Sequence, residues 1–108
     1  MSVPEISAAE LRQRLADPAG VPLLLDCREP PELQICRMNG ALHIPMRQVA
    51  QRLSELDPQR EIVVFCHHGR RSAMVAGLLA ASGFGRVLSL RGGIDAWSCE
   101  VDPAMPRY

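Results

Sequence analysis

Residues 61–90, EIVVFCHHGRRSAMVAGLLAASGFGRVLSL, carry a strand, a loop, a helix and a second strand in one unbroken stretch. EIVVFC is apolar on both faces and too short for a helix, which predicts a strand buried in a parallel sheet. From Ser72 to Ser82 the chain is apolar on nearly all sides, so a buried helix is expected there, stopped by Gly83. RVLSL is the next short strand. Between Cys66 and Ser72 lies a tight connection made of His67, His68, Gly69, Arg70 and Arg71.

The same alternation continues on either side. Ser7-Ala8-Ala9-Glu10 fits a capping box, and Leu11 and Leu15 keep helical spacing until Asp17-Pro18-Ala19-Gly20 breaks it. VPLLLDC, Val21 to Cys27, is a second short apolar run suited to a buried strand. Pro30 and Pro31 open a short helix through Leu33 and Ile35, and Asn39-Gly40 marks a turn before the strand ALHIP, which Pro45 ends. Met46, Val49, Leu53 and Leu56 recur at intervals of three and four, predicting an amphipathic helix up to Asp57-Pro58. Gly92-Gly93 reads as a turn before a short helix carrying Trp97. The whole predicts one α/β domain over residues 1–108, with a mainly parallel sheet covered by helices on both faces. Sheets of this kind bind ligands outside the carboxyl ends of their strands, so the loops after Cys27 and after Cys66 are the expected site.

Composition narrows the partners. The 108 residues are 47% apolar, enough for one core, and twelve basic residues balance twelve acidic ones. No net field points to nucleic acid or to a membrane surface. Every basic residue is arginine, which excludes lysine Schiff-base chemistry and favours planar, permanently charged contacts to anions. The longest apolar run, Ala73 to Ala81, falls far short of the about 18 residues of a membrane span. MSVPEISAAELRQ does not read as an export signal, so a cytoplasmic protein is expected. Cys27, Cys36, Cys66 and Cys99 form no CxxC pair and no zinc spacing, so free thiols are expected, with no metal and no cofactor.

Cys66 is the residue whose surroundings carry chemistry. A loop wound over a helix N-terminus turns backbone N–H groups inward and, with the positive end of the helix dipole, makes a concave anion site. A thiolate at its centre is favoured, more so beside Arg70 or Arg71, and becomes a nucleophile. Gly69 lets the backbone turn sharply and approach a bound anion. The alternative is an inert strand-end thiol beside solvated arginines.

The loop CHHGRRS resembles the active-site loop of single-domain rhodaneses, the thiosulfate sulfurtransferases: a cysteine, two residues, a glycine, one residue, and a final arginine or threonine. LLLDCREPPEL is similar to the family's Asp-x-Arg-Glu-Pro segment, RMNGALHIP to its His-Ile-Pro-Gly-Ala-x-x-Ile-Pro segment, and LRGGIDAW to its glycine pair followed by Ala-Trp. The resemblance implies a rhodanese-like fold with a central, mainly parallel five-stranded sheet, and a two-step transfer of sulfur. Cys66 would take the outer sulfur of thiosulfate or of a persulfide and pass it to cyanide or a thiol. His67, His68, Gly69, Arg70, Arg71 and Ser72 would form the substrate-binding cradle, with Arg71 helping to bind the anionic donor. Two positions depart from the family pattern: His67 stands where an arginine or lysine is frequent, and Arg37 where a histidine is usual.

Two rival readings follow from the same residues. Cysteine-dependent phosphatases also hold an anion in such a loop, but need one residue more between cysteine and arginine than the four that separate Cys66 from Arg71. The shorter loop suits a single sulfur atom. A non-catalytic rhodanese-like binding module is the other, although such modules typically lack the cysteine.

Other residues carry lesser expectations. Neighbours in a loop diverge, so His67 and His68 are poor joint metal ligands and shape the pocket rim instead. Asp26 and Arg28 are expected near the pocket in structural ion pairs, Arg28 with Glu32. Cys27 stands where an apolar residue is usual and is a candidate for a disulfide with Cys66. Cys36 and Cys99 read as plain thiols. The tail CEVDPAMPRY carries no chemistry; Met105 and Tyr108 are candidates to cover the core, which the residues alone do not decide.

Overall fold

A computed structural model describes residues 3–108. Met1 and Ser2, the start of the stretch that does not read as an export signal, lie outside the described residues. Five strands form one all-parallel sheet in the order β1-β5-β4-β2-β3: β1 Glu5–Ile6, β2 Leu23–Asp26, β3 Leu42–His43, β4 Ile62–Phe65 and β5 Val87–Leu90. Four α-helices accompany them: α1 Ala8–Ala16, α2 Pro30–Leu33, α3 Arg70–Ala81 and α4 Gly93–Glu100. The parallel α/β arrangement and its five strands agree with the expectation. β1 is the strand that no run of residues announces, because two residues are too few for periodicity to show. It exists by pairing with β5, Glu5 beside Ser89 and Ile6 beside Leu90.

Strand alternation sorts the apolar residues into two cores, one on each face of the sheet. Ile62, Val64 and Cys66 point to the face covered by α3, where they meet Leu25, Cys27, Val75, Ala76 and Leu79. Val63 and Phe65 point to the other face, with Leu11 of α1 and Ile94 of α4. Ser7 caps α1 as expected: its Oγ accepts from the Glu10 N–H at 3.1 Å, and the Glu10 carboxylate accepts from the Ser7 N–H at 3.0 Å.

Two predicted helices differ in the structure. Met46 to Leu56 forms no α-helix but two 3-10 segments, Met46–Gln51 and Leu53–Glu55, with Arg52 between them. The α-helical spacing is overridden by packing: Val49 and Leu56 are buried in the core on the α3 face and Met46 and Leu53 pack against it, which two short 3-10 turns achieve. α3 begins at Arg70, two residues before the expected start at Ser72, with Gly69 as its N-cap. It is also less buried than predicted: Ser72, Val75, Ala76 and Leu79 face inward while Met74 is exposed.

The order of strands places the expected site. The chain leaves β2 towards β3 at one edge of the sheet and leaves β4 towards β5 on the other side, so a crevice opens at the carboxyl ends of β2 and β4. Cys27 and Cys66 are the first residues beyond those ends, and the ladder continues there, the Cys27 N–H donating to the Phe65 carbonyl at 3.1 Å.

Candidate active site

The Cys66 sulfur is buried at the end of β4 and is approached by two backbone donors. The Gly69 N–H lies 3.1 Å from Sγ and the Ser72 N–H 3.4 Å, while Ser72 Oγ stands 3.6 Å away. The Ser72 hydroxyl is itself placed by Ser89 Oγ at 2.8 Å and by the Gly69 carbonyl at 3.2 Å. Both N–H groups belong to the cap or first turn of α3, so the helix's unpaired donors converge on the sulfur. Gly69 adopts φ +104°, a left-handed conformation that turns the chain into the helix, and a Cβ there would stand 3.3 Å from the Gly92 nitrogen.

A second helix grips the loop from its backbone. At the N-terminus of α4 the Ile94 N–H donates to the Cys66 carbonyl at 2.8 Å, and the Asp95 N–H donates to the His67 carbonyl at 3.1 Å. These are orphan donors of a helix end, satisfied by the loop that carries the cysteine. Gly93 makes the approach possible. With φ +64°, its missing Cβ would lie 2.4 Å from the His67 carbonyl oxygen and 2.5 Å from that of Cys66. The glycine pair in LRGGIDAW, expected only as a turn, thus does more: its second member is where two backbones meet.

The arginines of the loop divide. Arg71 is held by a two-pronged ion pair to Glu32 of α2, its Nη1 and Nη2 donating at 2.7 and 2.8 Å. Arg71 and the N–H of Glu29 draw the Glu32 carboxyl down to about 2 against the opposing effect of burial. Arg70 is exposed and has no carboxylate partner among the described residues. The Glu32 carboxylate therefore pairs with Arg71 and not, as expected, with Arg28.

Arg28 is fully buried and pairs with Asp26, Nη2 to Oδ2 at 2.8 Å and Nε to Oδ1 at 3.0 Å. Its remaining donors reach the Cys36 carbonyl at 2.9 Å, the Glu32 carbonyl at 3.4 Å and the Tyr108 hydroxyl at 3.0 Å. A buried charge needs such complete satisfaction, and Arg28 fixes the floor between β2 and α2 on which Glu32 stands.

The acid sensitivity of the Glu32–Arg71 pair follows from its sign. A carboxyl lowered on folding contributes stability above its unfolded value of 4.5 and loses it as pH falls towards about 2. The stability gap between wild type and Glu32→Gln should therefore be about 1–2 kcal/mol near pH 6, allowing for partial exposure, and should close near pH 2. Denaturant titrations of both proteins at the two pH values check this; a gap that does not narrow contradicts it.

The two histidines do not diverge. Their rings lie 3.8 Å apart between centroids, tilted by 35°, because α4 pulls the loop into a tight turn and a third ring holds His67 from outside. That ring is Tyr108, stacked on His67 at 3.7 Å and 4°. The exposed His68 has Nδ1 3.9 Å from Asp95. Of the two tail candidates for covering the core, Met105 packs on it, whereas Tyr108 lies over the cysteine loop. Nothing local in CEVDPAMPRY marks this, because the partners of Tyr108 lie in distant parts of the chain.

Cys27 and Cys66 sit in the same core just beyond the ends of the adjacent strands β2 and β4, both as free thiols. Burial first, then the neighbouring Cys66 and Asp26, pushes the Cys27 thiol up to about 12. It stays protonated at neutral pH, which makes it a slow attacking group for disulfide formation. Cys36 is buried within reach of Arg28, and Cys99 is exposed.

Residues 7–100 match the rhodanese-like domain family. A sulfurtransferase of Allochromatium vinosum is 44% identical over 96 residues, covering 89% of this chain and 89% of its own length. The putative sulfurtransferase YtwF of Bacillus subtilis is 32% identical over 103 residues, covering 95% of this chain and 98% of that protein. The crystal structure of a rhodanese-related protein from Thermoplasma volcanium superposes with a TM-score of 0.82 at 28% identity, over 91% of this chain and 93% of that one. With its all-parallel five-stranded sheet and the cysteine loop at the end of β4, the chain belongs to the rhodanese-like domain family.

Proposed function

We propose that the protein transfers sulfane sulfur through a persulfide on Cys66. The observation that carries this reading is the sulfur itself, buried at a strand end with the N–H groups of Gly69 and Ser72 aimed at it from the start of α3. Relatives named as sulfurtransferases support the same class of reaction.

In the first step the Cys66 thiolate attacks the outer sulfur of thiosulfate or of a persulfide. A new S–S bond forms on Cys66, and sulfite or a thiolate departs with the electron pair of the broken bond. In the second step cyanide or a thiol attacks the outer sulfur, leaves as thiocyanate or a new persulfide, and returns Cys66 as thiolate. The Gly69 and Ser72 N–H groups, already aimed at Sγ, stabilise the Cys66 thiolate with which each cycle begins and ends. His67 and His68 shape the rim, and Gly69 and Ser72 supply donors to sulfur. Arg71, engaged by Glu32, stiffens the loop; Arg70 is the loop cation available to an anionic donor.

Intact-mass measurement after thiosulfate treatment tests the reading. Wild type is expected to gain the mass of one sulfur, and peptide mapping to place it on Cys66. No gain with thiosulfate or with organic persulfides overturns the proposal and favours a binding module.

A further inference from the structure

We propose that Tyr108 is a positioning residue for this transfer, holding both ends of the Cys66 loop at once; the inference rests on the sulfurtransferase reading above. The ring lies flat on His67, the residue that follows the nucleophile. The hydroxyl donates to Glu32 Oε1 at 2.7 Å and accepts from Arg28 Nη1 at 3.0 Å. The same Glu32 carboxylate grips Arg71, whose neighbour Ser72 presents its N–H to the sulfur. One side chain thus bears on the near end of the loop by stacking and on the far end through Glu32.

The tail that delivers Tyr108 is attached at several points. Arg107 pairs with Asp95, Nε to Oδ1 at 2.9 Å, and the Met105 carbonyl accepts from the Ser98 hydroxyl at 2.8 Å. Asp95 is the residue whose N–H holds the His67 carbonyl, so tail, α4 and loop close into one assembly. His67 adds an independent observation: its Nε2 is buried and has no hydrogen-bond partner among the described residues. The rings of Tyr108 and His68 both pack on that imidazole, Tyr108 flat against it.

A loop that must present two N–H groups to one sulfur loses catalytic power when its ends wander, since small misplacements of a preorganised group are costly. Removing the Tyr108 ring and hydroxyl together is therefore expected to slow persulfide formation more than removing the hydroxyl alone. Tyr108→Leu should lower the second-order rate of sulfur loading from thiosulfate by about tenfold, and Tyr108→Phe, which keeps the stack, by about threefold. Because the hydroxyl acts through Glu32, Tyr108→Phe should cost little more in a Glu32→Gln background.

Two readouts decide the matter, both taken well below the thermal midpoint of each variant. The loading rate is followed by intact mass, and the amide resonances of Gly69 and Ser72 report the loop directly, whether or not sulfur moves. Shifted amides with slowed loading in Tyr108→Leu, both partly restored in Tyr108→Phe, are the expected result. Amides that stay in place, or that move while loading is unchanged, overturn the inference. A wild-type protein that takes up no sulfur from any donor instead overturns the sulfurtransferase reading, and the amides then still show whether Tyr108 positions the loop.

Discussion

Replacing Cys66 with serine is expected to lower the rate of sulfur transfer by about a thousandfold or more while leaving the fold in place. A serine hydroxyl fits the same small space and can accept from the Gly69 and Ser72 N–H groups that now face the sulfur. It does not ionise at neutral pH, however, and a bond from oxygen to sulfane sulfur is no substitute for a persulfide. The check is thiocyanate formation from thiosulfate and cyanide, run beside a thermal melt. Equal activity in wild type and Cys66→Ser at matched stability would remove Cys66 from the mechanism. Cys27→Ser is the companion control. Its thiol is held protonated by burial, so the variant should still load one sulfur.

Gly93→Ala carries the largest expected effect on stability. The added methyl would stand 2.4 to 2.5 Å from the Cys66 and His67 carbonyl oxygens and the His67 carbonyl carbon, all of them backbone atoms that no rotamer change can move. The residue also holds φ +64°, which an L side chain occupies at a cost of about 1–2 kcal/mol. Relief requires α4 to withdraw from the loop, which breaks the Ile94 and Asp95 N–H bonds to those carbonyls. A loss of about 3 kcal/mol or more is expected, equivalent to a fall of more than about 10 °C in thermal midpoint. Gly83→Ala separates the two causes. Gly83 has φ +96°, but a methyl added there would meet nothing within 4 Å, so it should lose only the conformational part, about 1–2 kcal/mol. Similar losses in the two variants would show that the close approach at Gly93 is not what matters.

The cysteine loop is legible in the sequence because its determinants are local. An apolar strand, a glycine and an apolar helix follow one another within residues 61–82, so the sulfur's place at a helix start follows from chain order alone. The partners of the loop are not legible, for the opposite reason. Arg71 meets Glu32, 39 residues away, and Tyr108 meets Glu32 across 76. No spacing rule joins such positions. The expectation for Arg28 fails on the same ground: Glu32 lies at helical distance from it, yet its carboxylate is claimed by Arg71, and Asp26 takes the buried guanidinium.

What the residues determined by themselves is the parallel α/β order, the two-faced core and the cysteine set where a strand ends and a helix begins, all consequences of apolar periodicity and of glycine and proline at the breaks. Only the tertiary structure decided that β1 exists, that Met46 to Glu55 winds as 3-10 turns, that Gly93 admits a second helix onto the loop, and that Tyr108 lies over His67. Each of these rests on contact between segments far apart in the chain, where packing and the pairing of buried polar groups, rather than local preference, select the conformation.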